Sequence, residues 1–256
     1  MIFYFTGTGN SYAAALQLQL RLGDEIANIT ECVQEKKYSF EIKNGESVGI
    51  VCPVYYGGLP SIVVQFLSEM HFDGDPDYIY GVLTYGGTAA NADGMLRKLL
   101  KQKGYDLSAC WKVKMPANYA ILYEPTKEEA VGPILEKAGD ELEEIIGKIG
   151  KREKMTFSAS PVKSIMTSVM YPMYEKARTT KGFYTDDQCI GCGVCAGRCP
   201  VKAIEMIDHK PVWVKDKCVF CMSCVRCGAI QYKNKMIGRR RYRHPVFEKK
   251  KKAACH

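Results

Sequence analysis

The sequence predicts an α/β fold, a doubly wound parallel sheet, followed by a small cysteine-rich α+β module. Two observations predict it. Over roughly the first 150 residues, short and continuously apolar runs alternate with helical patterns, as strands buried on both faces of a parallel sheet do. Beyond them, eight of the chain's twelve cysteines are gathered between Cys189 and Cys227.

The first run, Ile2 to Phe5, reads as a strand and leads into Thr6-Gly7-Thr8-Gly9-Asn10-Ser11. A helix is predicted over Tyr12–Leu22, with Ala13, Leu16 and Leu20 on one face and Gly23 as its C-terminal cap. The second strand is placed at Glu25–Ile29, with Tyr38–Ile42 as the alternative. Val48–Val54 is the next strand, running into Tyr55-Tyr56-Gly57-Gly58-Leu59-Pro60. Tyr78–Leu83 follows, ending in Thr84-Tyr85-Gly86-Gly87-Thr88-Ala89-Ala90-Asn91. Asn91–Gly104 reads as a helix and Cys110–Met115 as a fifth strand. Thr126 and Glu129 form a capping-box pattern before a helix whose stripe is Leu135, Ala138, Leu142, Ile145 and Ile149. Pro133 could kink its second turn.

A strand, a glycine- and hydroxyl-rich loop and a helix start make an anion cradle, because backbone N–H groups and the helix dipole point at the same spot. A nucleoside-triphosphate loop would need Gly-Lys-Ser/Thr, and Gly9 is followed by Asn10. The dinucleotide fingerprint would need a glycine where Tyr12 stands. The loop resembles the phosphate loop of flavodoxins, which binds the FMN phosphate without a basic side chain. That resemblance implies a five-stranded sheet of order 2-1-3-4-5 and phosphate contacts from Thr6, Gly7, Thr8, Gly9, Asn10 and Ser11. It also implies flavin-ring contacts from the two later loops, Pro53, Val54, Tyr55, Tyr56, Gly57 and Gly58, and Thr84, Tyr85, Gly86 and Gly87. All three loops lie at strand carboxyl ends, where doubly wound sheets bind ligands.

The cysteines form two runs, Cys189-x2-Cys192-x2-Cys195-x3-Cys199-Pro200 and Cys218-x2-Cys221-x2-Cys224-x2-Cys227. Each triplet can wrap one cubane cluster, the remote fourth cysteine ligating the other cluster. By that rule Cys189, Cys192, Cys195 and Cys227 hold one [4Fe-4S] cluster, and Cys218, Cys221, Cys224 and Cys199 the second. The pattern resembles the bacterial two-cluster ferredoxins over roughly residues 183 to 235. Zinc sites use separated Cys-x2-Cys pairs, and disulfide frameworks belong to small secreted domains, so neither fits. The second run is a shortened repeat of the first. Its triplet is offset by 29 residues, but Ala203-Ile204 matches Ala229-Ile230 at an offset of 26. Gly228 replaces the proline and could present Cys227 from a tighter turn.

With 256 residues and 46% apolar composition, the chain can form one domain of about 150 residues and a smaller one. The expected division is a flavodoxin-like domain over 1–150, a helical linker over 151–180 with a helix at Pro161–Arg178, a two-cluster module over 181–237 and a basic tail over 238–256. Met166, Met170 and Met173 are expected to pack between domains. Met1 leads directly into the strand without the basic segment of a secretory signal, and no apolar run approaches the ~20 residues that span a bilayer. A soluble cytoplasmic protein that binds no membrane is expected.

Charge is uneven, with residues 181–256 carrying 17 Lys+Arg against 6 Asp+Glu, in a chain of net charge +8. Arg239-Arg240-Arg241-Tyr242-Arg243 and Lys249–Lys252 hold much of the excess. They suit a solvated tail or steering toward an acidic redox partner, and no nucleic-acid-binding motif accompanies them. Cys32, Cys52 and Cys110 read as structural thiols and Cys255 as exposed and free. His71, His209, His244 and His256 show no ligand spacing, and no catalytic acid–base or nucleophile arrangement is evident. The chain as a whole resembles the flavodoxin-domain ferredoxins, implying an electron carrier with FMN and two [4Fe-4S] clusters and redox-protein partners. The alternatives are a flavin-dependent reductase acting on NAD(P)H or a small substrate, and a redox-sensing or nucleic-acid-binding module.

Overall fold

A computed structural model describes residues 1–158 and 160–247. The chain runs β1 (Ile2–Tyr4), α1 (Asn10–Leu22), β2 (Ile26–Asn28), α2 (Ile29–Glu35), β3 (Ser39–Glu41), β4 (Ser47–Pro53), α3 (Ser61–Glu69), β5 (His71–Asp73), β6 (Tyr78–Tyr85), α4 (Ala92–Gln102), β7 (Ala109–Lys114) and α5 (Glu128–Gly150). It continues through α6 (Pro161–Ala177), β8 (Phe183–Thr185), α7 (Val194–Gly197), β9 (Ile204–Ile207), β10 (Lys210–Trp213) and β11 (Ile230–Tyr232). Strands β2-β1-β4-β6-β7 form one parallel five-stranded sheet in that order. The order reverses beside β1, so the ends of β1 and β4 diverge around a crevice. The alternative second strand, Tyr38–Ile42, lies outside this sheet: β3 pairs with β5 in a separate two-stranded ladder.

Central burial explains the uninterrupted apolar runs. In β4 the residues Val48 to Cys52 are all buried, and in β6 those from Tyr78 to Thr84. One face of the sheet meets α3 and α4 through Phe3, Ile50, Phe66 and Leu96; the other meets α1 and α5 through Ile2, Val51, Leu18 and Ile145. The stripe predicted for α5 is in place, with Ala138, Leu142, Ile145 and Ile149 buried, and the helix continues through Pro133.

Two local expectations are corrected. Helix α1 buries Ser11, Ala14, Ala15 and Leu18, whereas Ala13 and Leu16 are half-buried and Leu20 is 81% exposed. The small residues let the helix approach the sheet, which outweighs the larger leucines of the other face. The capping box of α5 does not form: Lys127 is the cap and no side chain serves it. The Thr126 hydroxyl instead accepts a hydrogen bond from Ala117 N at 2.7 Å.

The cysteine module consists of two antiparallel ladders, β9 with β10 and β8 with β11. It is packed on the sheet domain. Val219 belongs to the sheet domain's core, and Val201 and Cys221 pack against it. Gln34 Nε2 on α2 donates to the carbonyls of Pro200 and Cys199 at 3.0 and 3.3 Å. Helix α6 closes the joint. Tyr171 donates to Leu59 O at 2.8 Å and Thr167 to Gly57 O at 2.8 Å. Tyr174 is 0% exposed; its hydroxyl donates to Val219 O at 2.9 Å and accepts from Ser61 N at 3.2 Å. Of the three methionines expected at the joint, Met170 lines the central cleft, while Met166 and Met173 are exposed, together with Val162, Ile165 and Val169.

Tyr174→Phe leaves a buried carbonyl and a buried N–H with one partner fewer. It should cost about 1–3 kcal/mol and lower the thermal midpoint of the anaerobically purified protein by several degrees, read by near-ultraviolet circular dichroism. An unchanged midpoint would show that the clasp contributes nothing.

Candidate functional site

The loops at the carboxyl ends of β1, β4, β6 and β7 surround a cleft enclosing about 1030 Å³ of empty space, its open mouth included. Thr6, Gly7, Thr8, Asn10 and Ser11 line it from the first loop, Pro53, Val54, Tyr55, Tyr56 and Gly57 from the second, and Thr84, Tyr85, Gly86 and Gly87 from the third. Gly9 and Gly58, named with them from sequence, do not line the cleft. Gly9 faces His244 and Phe247, and Gly58 faces the ring of Tyr171.

The loop after β1 is ordered by its own side chains. Gly9 N donates to Thr6 Oγ1 at 3.0 Å, and Ser11 Oγ lies 2.8 Å from Thr84 Oγ1. The Asn10 side chain is committed elsewhere: Nδ2 donates to Pro116 O at 3.0 Å, and Oδ1 accepts from the Tyr242 hydroxyl at 2.9 Å. What Asn10 can offer an anion is its backbone N–H, with the other first-turn amides of α1, which have no intrahelical acceptor.

Sequence reading missed two walls. Pro116 to Tyr119, with Leu122 and Tyr123, form a further loop at the end of β7. Applying the strand-end rule to the fifth strand would have found it, although it lacks glycine. Met170 and Tyr174 from α6 and Phe220 from the cysteine module complete the lining; these are long-range contacts with no local signal. Tyr56 and Tyr119 share a hydrogen bond at 3.0 Å. Burial, then this bond, pushes the Tyr119 hydroxyl well above the usual tyrosine range, and burial does the same to Tyr55. Both rings are therefore neutral hydrogen-bonding groups at physiological pH. Among the described residues no lining residue is Asp, Glu, Lys, Arg or His. The cleft can hold a planar aromatic group among tyrosines, with an anionic end at the helix start.

The cysteines ring two adjacent cavities. One is lined by Cys199, Cys218, Cys221 and Cys224, the other by Cys189, Cys192, Cys195 and Cys227, with Cys224 touching both. The fourth cysteine of each run thus joins the triplet of the other. Among the described residues no three Cys, His, Asp or Glu converge on a point that could hold a single metal ion. The donor set of each cavity, cysteine thiols with no carboxylate or imidazole among its described lining residues, suits iron–sulfur ligation. In the first cavity, Ala203 N donates to Cys199 Sγ at 3.2 Å and Phe220 N to Cys218 Sγ at 3.4 Å. Such bonds hold thiolate charge and tune cluster potential. Burial, followed for Cys221 by neighbouring thiols, pushes the Cys218 and Cys221 thiols up to about 12. Ligation there therefore displaces protons rather than capturing ready thiolates. Gly228, after Cys227, has φ +87°, the left-handed backbone that the shortened repeat requires.

The first cage abuts the cleft, and Gly7 is the point of contact. A Cβ there would stand 2.0 Å from Cys221 O and 3.0 Å from the Tyr55 hydroxyl. The second cage faces outward: Cys192 and Cys227 are exposed, and Ile190 is 87% exposed. Lys249–Lys252, Cys255 and His256 lie outside the described residues.

An aromatic cleft with an anion cradle beside two thiol cages defines a flavin and iron–sulfur redox protein. Comparison with known families agrees: residues 1–117 match the flavodoxin domain and residues 181–227 the 4Fe-4S dicluster domain. The chain thus joins an N-terminal flavodoxin domain to a C-terminal 4Fe-4S dicluster domain. An uncharacterized polyferredoxin-like protein of Methanocaldococcus jannaschii is 46% identical over 52 residues, covering 15% of this chain and 31% of that protein. The match thus spans under a third of the length of that curated relative. Among solved structures, a Bacteroides uniformis protein described as a flavoprotein aligns with 53% of this chain and 96% of its own at 13% identity and a TM-score of 0.36. A Bacillus anthracis azoreductase aligns with 57% and 98% at 10% identity and a TM-score of 0.35. Among the described residues no helix is long and apolar enough to cross a membrane.

Gly7→Ala should drive apart the two loops that meet at this position, so protein purified without oxygen should lose most of its flavin absorbance. Gly147→Ala, on α5 where a Cβ meets nothing within 4 Å and outside the cleft lining, should keep it. Equal flavin content in both variants would show that the contact is not needed.

Proposed function

We propose that this chain is an electron carrier that holds one FMN and two [4Fe-4S] clusters and exchanges electrons with redox-protein partners. The observation that carries the reading is the order of sites: aromatic cleft, buried cage in contact with it, then a cage open to solvent. FMN exchanges electrons in pairs or singly, whereas a cubane passes one at a time, so the pair couples two-electron to one-electron chemistry.

In this reading Thr6, Thr8, Ser11 and the first-turn amides of α1 hold the phosphate. Tyr55, Tyr56, Tyr85 and Tyr119 flank the ring, and Gly57, Gly86 and Gly87 let backbone approach it. Phe220 and Tyr174 close the side facing the cages and exclude water between them. Cys199, Cys218, Cys221 and Cys224 ligate the inner cluster, and Cys189, Cys192, Cys195 and Cys227 the outer one. Among the described residues the cleft wall carries no charged side chain, which suits a carrier better than an enzyme that transfers protons to a small substrate. The exposed outer cage suits contact with a partner protein, and the surplus of basic residues in the cysteine module would favour an acidic one.

The crosswise ligation makes a test. Cys199→Ser, in the first run, should abolish the cluster of the second run; Cys227→Ser should abolish the cluster of the first. Each should lower iron from about eight to about four atoms per chain, or to about seven if a three-iron form survives. Electron paramagnetic resonance of the reduced variants should give two different single-cluster spectra. Identical residual spectra, or zinc in place of iron, would refute the assignment. Rapid bleaching of the flavin by NADH or NADPH alone would favour a reductase.

A further inference from the structure

The two cysteine triplets repeat at an offset of 29 residues, which sets Ile190 against Val219, Gly191 against Phe220 and Gly193 against Met222. The backbone keeps the repeat. Gly191 and Gly193 have φ +68° and +71°, and Phe220 and Met222 have φ +55° and +61°. That left-handed conformation is open to glycine but disfavoured by a Cβ, and in a bulky residue it is an outlier. Such strain persists only where the surroundings hold it in place. The Phe220 ring stands edge-on to Tyr232 and Phe183, with centroids 5.4 and 5.8 Å apart, and is tilted against Tyr119 at 6.2 Å.

The two strained side chains cover one cage and not the other. Phe220 and Met222 are each 4% exposed and line the inner cavity. Among the described residues Phe220 alone lines both that cavity and the cleft. At the outer cage the glycines bring no cover: a Cβ on Gly193 would meet only Met206 Cγ, at 3.9 Å. The rest of the repeat follows the same contrast. Ile190 is 87% exposed and Val219 1%. Cys192 and Cys227 of the outer cage are exposed, whereas no cysteine of the inner cage is.

Reduction adds an electron to a cage that is already negative, so water and cations favour it and burial opposes it. Arg226 lines the outer cavity, and the described lining of the inner one has no basic side chain. Arg178 reaches the Cys218 carbonyl at 3.4 Å, but its charge is answered by Glu175 at 2.9 Å. The N–H bonds from Ala203 and Phe220 to sulfur act the other way, toward reduction; water at an open cage would supply more such bonds than these two.

We propose that Phe220 and Met222 hold the two clusters apart in potential, the inner below the outer. An electron that enters from the cleft side then comes to rest on the solvent-facing cluster. The proposal rests on the two-cluster reading above. The step is a transfer of one electron, the inner cluster being oxidised and the outer reduced, with no bond or proton moved.

The test is an anaerobic redox titration of the full chain followed by electron paramagnetic resonance. In the parent the first electron should prefer the outer cluster by about tenfold or more, which separates the two steps by about 59 mV or more. The half-reduced spectrum should match that of Cys199→Ser, which keeps only the outer cluster. Phe220→Gly/Met222→Gly gives the second run the residues of the first; its lower step should rise toward the upper one, which should not move. Phe220→Leu/Met222→Leu keeps an apolar cover and should leave the lower step in place. If the glycine variant loses iron, Phe220→Ala makes the same comparison, and the order of steps in the parent needs no variant. Coincident steps in the parent, a first electron on the inner cluster, or a shift of both steps or neither in the iron-replete glycine variant overturns the proposal. A parent chain with well under about eight iron atoms overturns the two-cluster reading instead.

Discussion

The side chain that Gly7 lacks is what lets the two modules meet. The carbonyl of Cys221 and the hydroxyl of Tyr55 occupy the space that a Cβ at this position would need. The anion loop of the sheet domain and the cysteine loop of the second module therefore touch backbone to backbone. Other features support the same approach. Val219 is buried in the core of the sheet domain, Tyr174 bridges Val219 and Ser61, and Phe220 closes the cleft from the far side. The consequence is functional. The cleft and the inner thiol cavity share Phe220 as a lining residue and meet at Gly7 and Cys221.

Charge follows the same division of labour. The described residues that line the cleft are neutral, and burial pushes the hydroxyls of Tyr55 and Tyr119 above the ordinary tyrosine range. The cations collect at its anion-binding end, in a segment that reaches back from the end of the cysteine module. A neutral cleft does not favour one oxidation state of a bound ring by direct ion pairing.

Much of this was legible in the sequence because the signals are local. Apolar runs marked β4 and β6, since a central parallel strand is buried on both faces. Cysteine spacing gave the two cages, because a cubane needs a triplet and one remote ligand. What escaped was decided by tertiary competition. Leucine periodicity chose the wrong face of α1, since Ala14 and Ala15 permit closer packing than Leu16 and Leu20. Thr126 was lost as a cap because the Ala117 amide claimed its hydroxyl. The β7 loop carries no glycine signature, and Tyr174 and Phe220 reach the cleft from 51 and 97 residues beyond the last loop residue that lines it, Tyr123. The arginines of 239–243 look like a solvated run in sequence; only the fold shows Tyr242 and His244 pinning them across the loop.

The central claim is that the flavin site and the inner cage form one electron-transfer unit within a single chain. Rapid photoreduction of the flavin under anaerobic conditions, followed by absorbance of the clusters, tests it most directly. The account predicts that electrons reach a cluster in a first-order process whose rate constant is the same at all protein concentrations. A rate that rises in proportion to protein concentration would mean that electrons pass between molecules, and would contradict it.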